Sequence, residues 1–375
     1  MKHYIWKMLL LAAVALPLAS CGGDKDDDDD VKHEESPFSD NTQPGSGNMN
    51  ANAGAFTKDS ETKYLISAQF QTEEIVSKTP SVYTIKDEDN MSFLYDSSMK
   101  LRKIITENGN GTTDFDFSNP NRIKITMEGG YPLTLGLSYN NKGYVSRITS
   151  DYTIPVADED GGKTVGTMNV KATVDFTYNS DENLTSIVFV EDDISEAKTE
   201  HNEDRLTLTW TSGMLRNVLI QDKQSTIYKG GGFTETSQEH SWTAKTDNPR
   251  TNPSRQWEGV NFLPLKNFSL AHLFFINLLG KGSNKIPSGW SYKYKSNDGE
   301  GTVNDATINS GRNLANSWLV TSSYSSYKDL KSFSTKTVFN YKSASKAPRR
   351  TAAESSHHAR KSLDTKPFSL LRRTK

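Results

Sequence analysis

"DFTYNSDENLTSI", residues 175–187, carries an aromatic at Tyr178, an apolar residue six places later at Leu184 and another nine places later at Ile187. The same spacing recurs in "GLSYNNKGYVSRI" (136–148) through Tyr139, Val145 and Ile148. It recurs again in "FLYDSSMKLRKI" (93–104) through Tyr95, Leu101 and Ile104. Trp210, Leu215 and Val218 form the same unit with one residue deleted, and Phe117 with Ile123 is a looser copy. Asn, Asp, Ser and Gly fill each gap, as a hairpin turn requires. The interval from six to nine is odd, so the last two apolar residues cannot share a face of one regular strand. Either the first packs at the turn or a bulge intervenes. The aromatics at 95, 117 and 139 are 22 residues apart, which is one strand up, a turn and one strand down. The repeat predicts a meander of β-hairpins, with longer loops where the step lengthens toward 178 and 210.

Sequence on either side of the repeat has the same period. "RLTLTW" sets Leu206, Leu208 and Trp210 against Arg205, Thr207 and Thr209, and "KYLISAQF" puts Tyr64, Ile66, Ala68 and Phe70 on one parity. "SFSTKTVFNY" alternates Phe333, Thr335, Thr337, Phe339 and Tyr341. Period-two patterning with a polar second face reads as antiparallel sheet. One segment departs from it: "NFSLAHLFFINLLGKG" (267–282) reads as a helix apolar nearly all round, and therefore buried. Ser269 is its expected N-cap and Gly280 its expected C′ residue. The fold class is all-β with one buried helix, an antiparallel meander forming a strongly curved or barrel-like sheet over residues 61–341.

The ends of the chain differ from this body. Lys2 and Lys7 precede an apolar run, Met8–Ala19, that has the length of a signal-peptide core and is too short to span a bilayer. It ends in Leu18-Ala19-Ser20-Cys21, which resembles the bacterial lipobox. That resemblance implies removal of residues 1–20 and a lipid anchor on Cys21, the only cysteine in the chain. A chain so processed has no disulfide and is stabilised by its core alone. Asp26, Asp27, Asp28, Asp29 and Asp30 resemble the acidic export tag of surface lipoproteins in the Bacteroidota; a plain charged tether is the alternative. Residues 21–60 read as an acidic, flexible tether and 342–375 as a basic disordered tail.

The repeated hairpin also resembles the YD-type repeat in spacing. The body as a whole, with its late helix, "LLGKGSNKIPSGW" and closing strands, resembles an uncharacterised lipoprotein family of the Bacteroidota. That family is catalogued as domain of unknown function 4595 and described as porin-like. The resemblance implies a barrel-like sheet on the outer membrane, facing the cell exterior, and brings no catalytic residues. It does not imply a membrane pore: such a barrel needs an outward apolar band, and the outward parity here is Thr, Lys, Arg and Ser.

Catalytic and metal motifs give no constellation. His201 lies in acidic "KTEHNED", read as a loop; His240 lies in a polar strand, and His272 in the helix, where it reads as a core residue. Neither HExxH, GxSxG nor a Walker loop occurs, so no metal, cofactor or catalytic residue is assigned. "ADEDGG" (157–162) and "KGGGF" (229–233) read as hairpin tips. The basic tail has no interleaved aromatics beyond Phe368, so nucleic acid is not an expected partner. The expected role is a surface-anchored lipoprotein with a non-catalytic binding or accessory function, a surface glycan being one candidate ligand. A structural component of an outer-membrane complex and a glycan hydrolase are the alternatives. Trp290, Tyr292 and Tyr294 share one parity of "PSGWSYKYKSNDGEG". The two tyrosines read as core, and Trp290, nearest the strand's start, is the candidate ligand-binding residue.

Overall fold

The structure of the chain, a computed structural model, describes residues 38–343 apart from 59–60, 79–80, 109–110, 129, 131, 158–163, 248, 252–270, 297–298, 315–316 and 327–330. Two short N-terminal strands, β1 (Ser39–Asp40) and β2 (Ala55–Lys58), precede a long antiparallel ladder. It begins with β3 (Glu61–Lys78), β4 (Ser81–Tyr95), β5 (Leu101–Asn108), β6 (Gly111–Asp116), β7 (Arg122–Met127) and β8 (Leu133–Tyr139). It continues through β9 (Val145–Ala157), β10 (Thr164–Tyr178), β11 (Leu184–Ile194), β12 (Lys198–Thr211), β13 (Met214–Tyr228) and β14 (Gly232–Lys245). A two-stranded sheet, β15 (Arg250–Thr251) with β16 (Lys285–Ile286), flanks the helix α1 (Ala271–Phe275). The ladder then resumes with β17 (Gly289–Ser296), which pairs with β14, and passes through β18 (Gly299–Leu314) and β19 (Ser317–Ser326) to β20 (Lys331–Ser343). β20 pairs back onto β3, from Lys331 opposite Val76 to Ser343 opposite Lys63, and the ladder closes into a barrel.

The sequence repeat is the repeat of the hairpins, and a bulge resolves its odd spacing. Tyr178 pairs with Leu184 while Thr177 pairs with Ser186, which leaves Thr185 as an extra residue and returns Ile187 to the inner face. Arg102, Ser146 and Arg216 are the equivalent extra residues beside Leu101, Val145 and Leu215. The looser copy has no bulge, because its second apolar residue, Ile125, follows Ile123 at the regular interval of two.

The turns repeat as well. Asp96, Asn140 and Asn179 each follow the aromatic and accept two backbone N–H groups with one side-chain oxygen, at 2.8–3.1 Å. The fourth residue of each turn, Met99, Gly143 or Glu182, is left-handed. Each aromatic then donates to a main-chain carbonyl of an earlier segment: Tyr95 to Leu65 (2.8 Å), Tyr139 to Pro120 (2.6 Å), Tyr178 to Val145 (2.5 Å) and Trp210 to Leu184 (2.7 Å).

These turns lie at one end of the barrel together with α1, which closes it. Leu273, Phe274, Phe275, Ile276, Leu278 and Leu279 are all buried. Phe275 meets Phe339 edge-on at 5.3 Å, and His272 lies 4.3 Å from Phe115, its burial pushing the imidazole pKa down to about 3. The helix ends earlier than expected. Asn277, not Gly280, is the left-handed C′ residue: its N–H reaches the Phe274 carbonyl (3.2 Å) and that of Leu278 reaches Leu273 (3.0 Å). This double bond pattern defines the Schellman cap, in which Asn is tolerated because its short polar side chain suits the left-handed region. Gly280, also left-handed, instead serves close approach to the Glu182 carbonyl. Ser269 lies outside the described residues.

The expected tether runs too far. From residue 38 the chain is part of the barrel: Asn41 N–H bonds the Asp151 carbonyl (2.8 Å), Gly45 N–H bonds Asn121 (2.8 Å), and Tyr139 N–H bonds Ser46 (2.8 Å). Ala53 and Phe56 are buried in the core. The segment pairs with β9 beyond the point where β8 leaves it, Ser39 opposite Thr153. The Gly and Ser that suggested flexibility are what allow one backbone to cross another closely.

Among the described residues, the outward face of the barrel is mostly polar. Cross-strand ion pairs stud it: Arg147 with Asp175 through two bonds of 2.6 and 2.9 Å, Lys103 with Asp114 (2.6 Å), and Lys223 with Glu235 (3.0 Å). Exposed pairs of this kind add little stability.

Candidate functional site inside the barrel

The inward face changes character along its length. Nearest the closed end it is apolar, with Ile187, Leu206, Leu208, Val218 and Ile220. One step farther, Phe189, Asp204, Asp222 and Gln238 stand in register across β11 to β14. Beyond them come Glu191, Asn202, Gln224 and Thr236, again in register. Period-two alternation therefore points carboxylates and amides inward, where a packed sheet would place aliphatics.

A small cleft of about 20 Å³ opens between these rows, lined by Asn202, Asp204, Asp222, Gln224, Thr236 and Gln238 among others. That is room for one water-sized guest. Asp204 and Asp222 face each other directly, and both are buried. Burial, the Asp222 charge and Glu203 push the Asp204 carboxyl up to about 8; burial alone pushes Asp222 up to about 6. Two facing carboxylates out of water cannot both ionise freely, so the pair holds one proton near neutrality. His240 Nε2 stands 3.7 Å from Asp222 Oδ2. Burial lowers the His240 pKa, so both groups are driven toward their neutral forms and the contact is no strong ion pair at neutral pH. Asp222 Oδ1 and Asn202 Nδ2 have no hydrogen-bond partner. An acceptor and a donor left open on one cleft suit a guest with both functions, water being the smallest.

This arrangement sets a pH dependence. Both carboxyls have folded-state pKa values above those of the unfolded chain. Their contribution to stability is complete below pH 4 and is lost as the pH rises through 6 and then 8. Thermal unfolding should therefore show Tm falling from pH 5 to pH 8.5. Asp204→Asn should flatten that slope and raise stability at pH 8.5 by about 1–3 kcal/mol, several degrees in Tm. An unchanged slope would contradict the pairing.

Among the described residues, none of the sequence-assigned ones lines this cleft. Cys21 and Asp26–Asp30 are outside the described residues, as are Asp158 and Asp160 and the basic tail from 344. Trp290 lies in β17 with its backbone opposite Ala244, and Tyr292 and Tyr294 stand opposite Trp242 and His240. The side chains of these three aromatics are outside the described part. His201 is not in a loop: it belongs to β12, faces outward and contacts Asp192 at 2.7 Å. "KGGGF" is the expected turn, with Gly231 left-handed. Among the described residues no group of three or more His, Cys, Asp and Glu is arranged to hold a metal ion. Asp204 and Asp222 had no signal in the sequence, since they are 18 residues apart and meet only through the hairpin register.

No family model and no curated protein matches the chain. Among solved structures it is similar to a porin-like protein from Bacteroides uniformis, at 17% identity and a TM-score of 0.40, over 74% of this chain and 97% of that one. A porin-like protein from Bacteroides vulgatus is similar at 13% identity and a TM-score of 0.38, over 72% and 97%. OmpT, an outer membrane protein of Vibrio cholerae, follows at 9% identity and a TM-score of 0.23, over 77% and 100%.

Proposed function

We propose that this chain is an outer-membrane lipoprotein, held by acyl chains on Cys21, with a non-catalytic binding or accessory role. The observation that carries the reading is the polar, ion-paired outer wall of the barrel. A barrel that crosses a bilayer turns an apolar band about 25 Å tall toward lipid, and among the described residues this wall carries charged pairs instead. Membrane association then needs another device, and the lipobox-like Leu18-Ala19-Ser20-Cys21 supplies one. Glycan binding and hydrolysis draw no support from the cleft, which has no room for a sugar ring.

Fractionation of cells tests the anchor. The wild-type chain should partition with membranes and enter the detergent phase, and Cys21→Ala should move it to the aqueous phase. Identical partitioning of the two would overturn the anchor. Protease added to intact cells should remove the wild type if it faces outward, and Ala at Asp26–Asp30 should protect it.

A further inference from the structure

The large apolar side chains that are exposed among the described residues are Ile194, Ile227, Tyr228 and Phe233, at 40%, 57%, 45% and 63%. They are not scattered. Ile194 pairs with Thr199, Thr199 with Ile227, and Ile227 with Phe233, so three of the four stand in one register row across β11 to β14. The row is on the outer face, since the inward parity at this height is Asp193 and Thr226. Tyr228 adjoins it at the tip of the β13–β14 hairpin. The two hairpin tips are joined, Lys229 N–H bonding the Ala197 carbonyl at 3.0 Å. Single exposed apolar residues are ordinary; a contiguous set confined to one place marks a contact surface.

The course of the N-terminus says what covers it. β9 runs from the closed end toward the opposite rim, and β1 is antiparallel to it. The chain before Ser39 therefore arrives from the rim side. Sixteen residues, 22–37, separate Cys21 from Phe38, a reach of about 56 Å at full extension. With the rim toward the membrane this tether enters directly. With the closed end toward the membrane it would have to double back along β9 from the level of Thr153 to Val145, eight residues or roughly 26 Å, nearly half of that reach. Phe and Tyr beside Ile suit the interface of a bilayer, where aromatic rings settle at headgroup level.

We infer that the rim formed by the β11–β12 and β13–β14 hairpins docks on the lipid surface to which the chain is anchored, so that the end sealed by α1 points away from the membrane. The inference rests on the lipid-anchored reading above. Because Cys21 is the chain's only cysteine and is consumed by acylation in that reading, a single new cysteine can carry an environment-sensitive fluorophore. Phe233→Cys places it in the row, and Lys142→Cys places it in an exposed closed-end turn. Both are made in the full lipidated chain, reconstituted in vesicles of phosphatidylethanolamine and phosphatidylglycerol. The expected result is a blue shift, and quenching by a bilayer-embedded quencher, at position 233 and not at 142. A shift at 142 alone, or at neither position, would overturn the inference. So would a blue shift at 233 that grows with protein concentration without lipid, which would assign the row to a second copy of the chain. Intact mass separates the readings: an unacylated Cys21 sinks the anchor, and a Cys21→Ser, Phe233→Cys chain, labelled at 233 alone and mixed with the same vesicles, then decides whether the rim meets lipid.

Discussion

Phe274→Ala should destabilise the protein by about 3–5 kcal/mol, the largest loss expected from any single truncation in the closed end. Phe274 has no exposed surface, and its neighbours Leu273, Phe275 and Ile276 are as deeply buried. The barrel wall is held by its own ladder and cannot collapse far into the gap, so the cavity remains and the cost falls at the upper part of the range. The bonds that bind this segment to the turns would be loosened with it: Gly54 N–H to Ile276 (2.8 Å), Val145 N–H to Leu278 (2.9 Å) and Lys281 N–H to Glu182 (2.9 Å). Urea unfolding of the two proteins measures the difference. A loss below about 1 kcal/mol would mean that the helix is peripheral to the fold.

Gly136→Ala should cost about 2–4 kcal/mol by a different route, overpacking rather than a void. A β-carbon at Gly136 would collide with the Gln43 carbonyl oxygen and come within 2.7 Å of Thr149 Oγ1. Gln43 is backbone of the segment that continues the sheet beside β9, so relief requires that segment to move. The expected signature is twofold: a lower urea midpoint, and faster amide exchange at Asn41, Gly45 and Ser46, whose N–H groups now bond to the barrel. Loss of stability without faster exchange there would place the strain elsewhere.

The two substitutions mark the limits of what sequence spacing can say. The hairpins were legible because Tyr95, Tyr139 and Tyr178 recur with their apolar partners at fixed intervals, and the odd interval itself pointed to a bulge. Gly143 was legible as a turn residue, but Met99 and Glu182 hold the same left-handed position and carry no such mark. There the Asx side chain enforces the turn and the backbone tolerates a non-glycine residue. Residues 38–58 were misread because Pro44, Gly45, Ser46 and Gly47 resemble a linker in composition. Small residues serve slack chain and tight crossings equally, and only the contacts of Gly45 and Gly136 distinguish the two. "KTEHNED" reads as a loop because it is acidic. In a barrel whose half farther from α1 is lined with polar groups, Asn202 and Asp204 are inward residues of a regular strand. The cleft was illegible for the same reason: nothing local joins Asp204 to Asp222.

The aromatic of one hairpin donates its hydrogen bond to the main chain of an earlier segment, as Tyr178 does to Val145 and Trp210 to Leu184. In both of these the acceptor is the residue that opens the second strand of the preceding unit, so donor and acceptor belong to the same repeating pattern. A unit copied or lost in evolution would then carry its own donor away and leave an equivalent acceptor behind, and the bonds on either side could re-form. The wall could gain or shed girth two strands at a time while the closed end kept its seal, which makes the circumference of this architecture a property open to selection rather than one fixed by the fold.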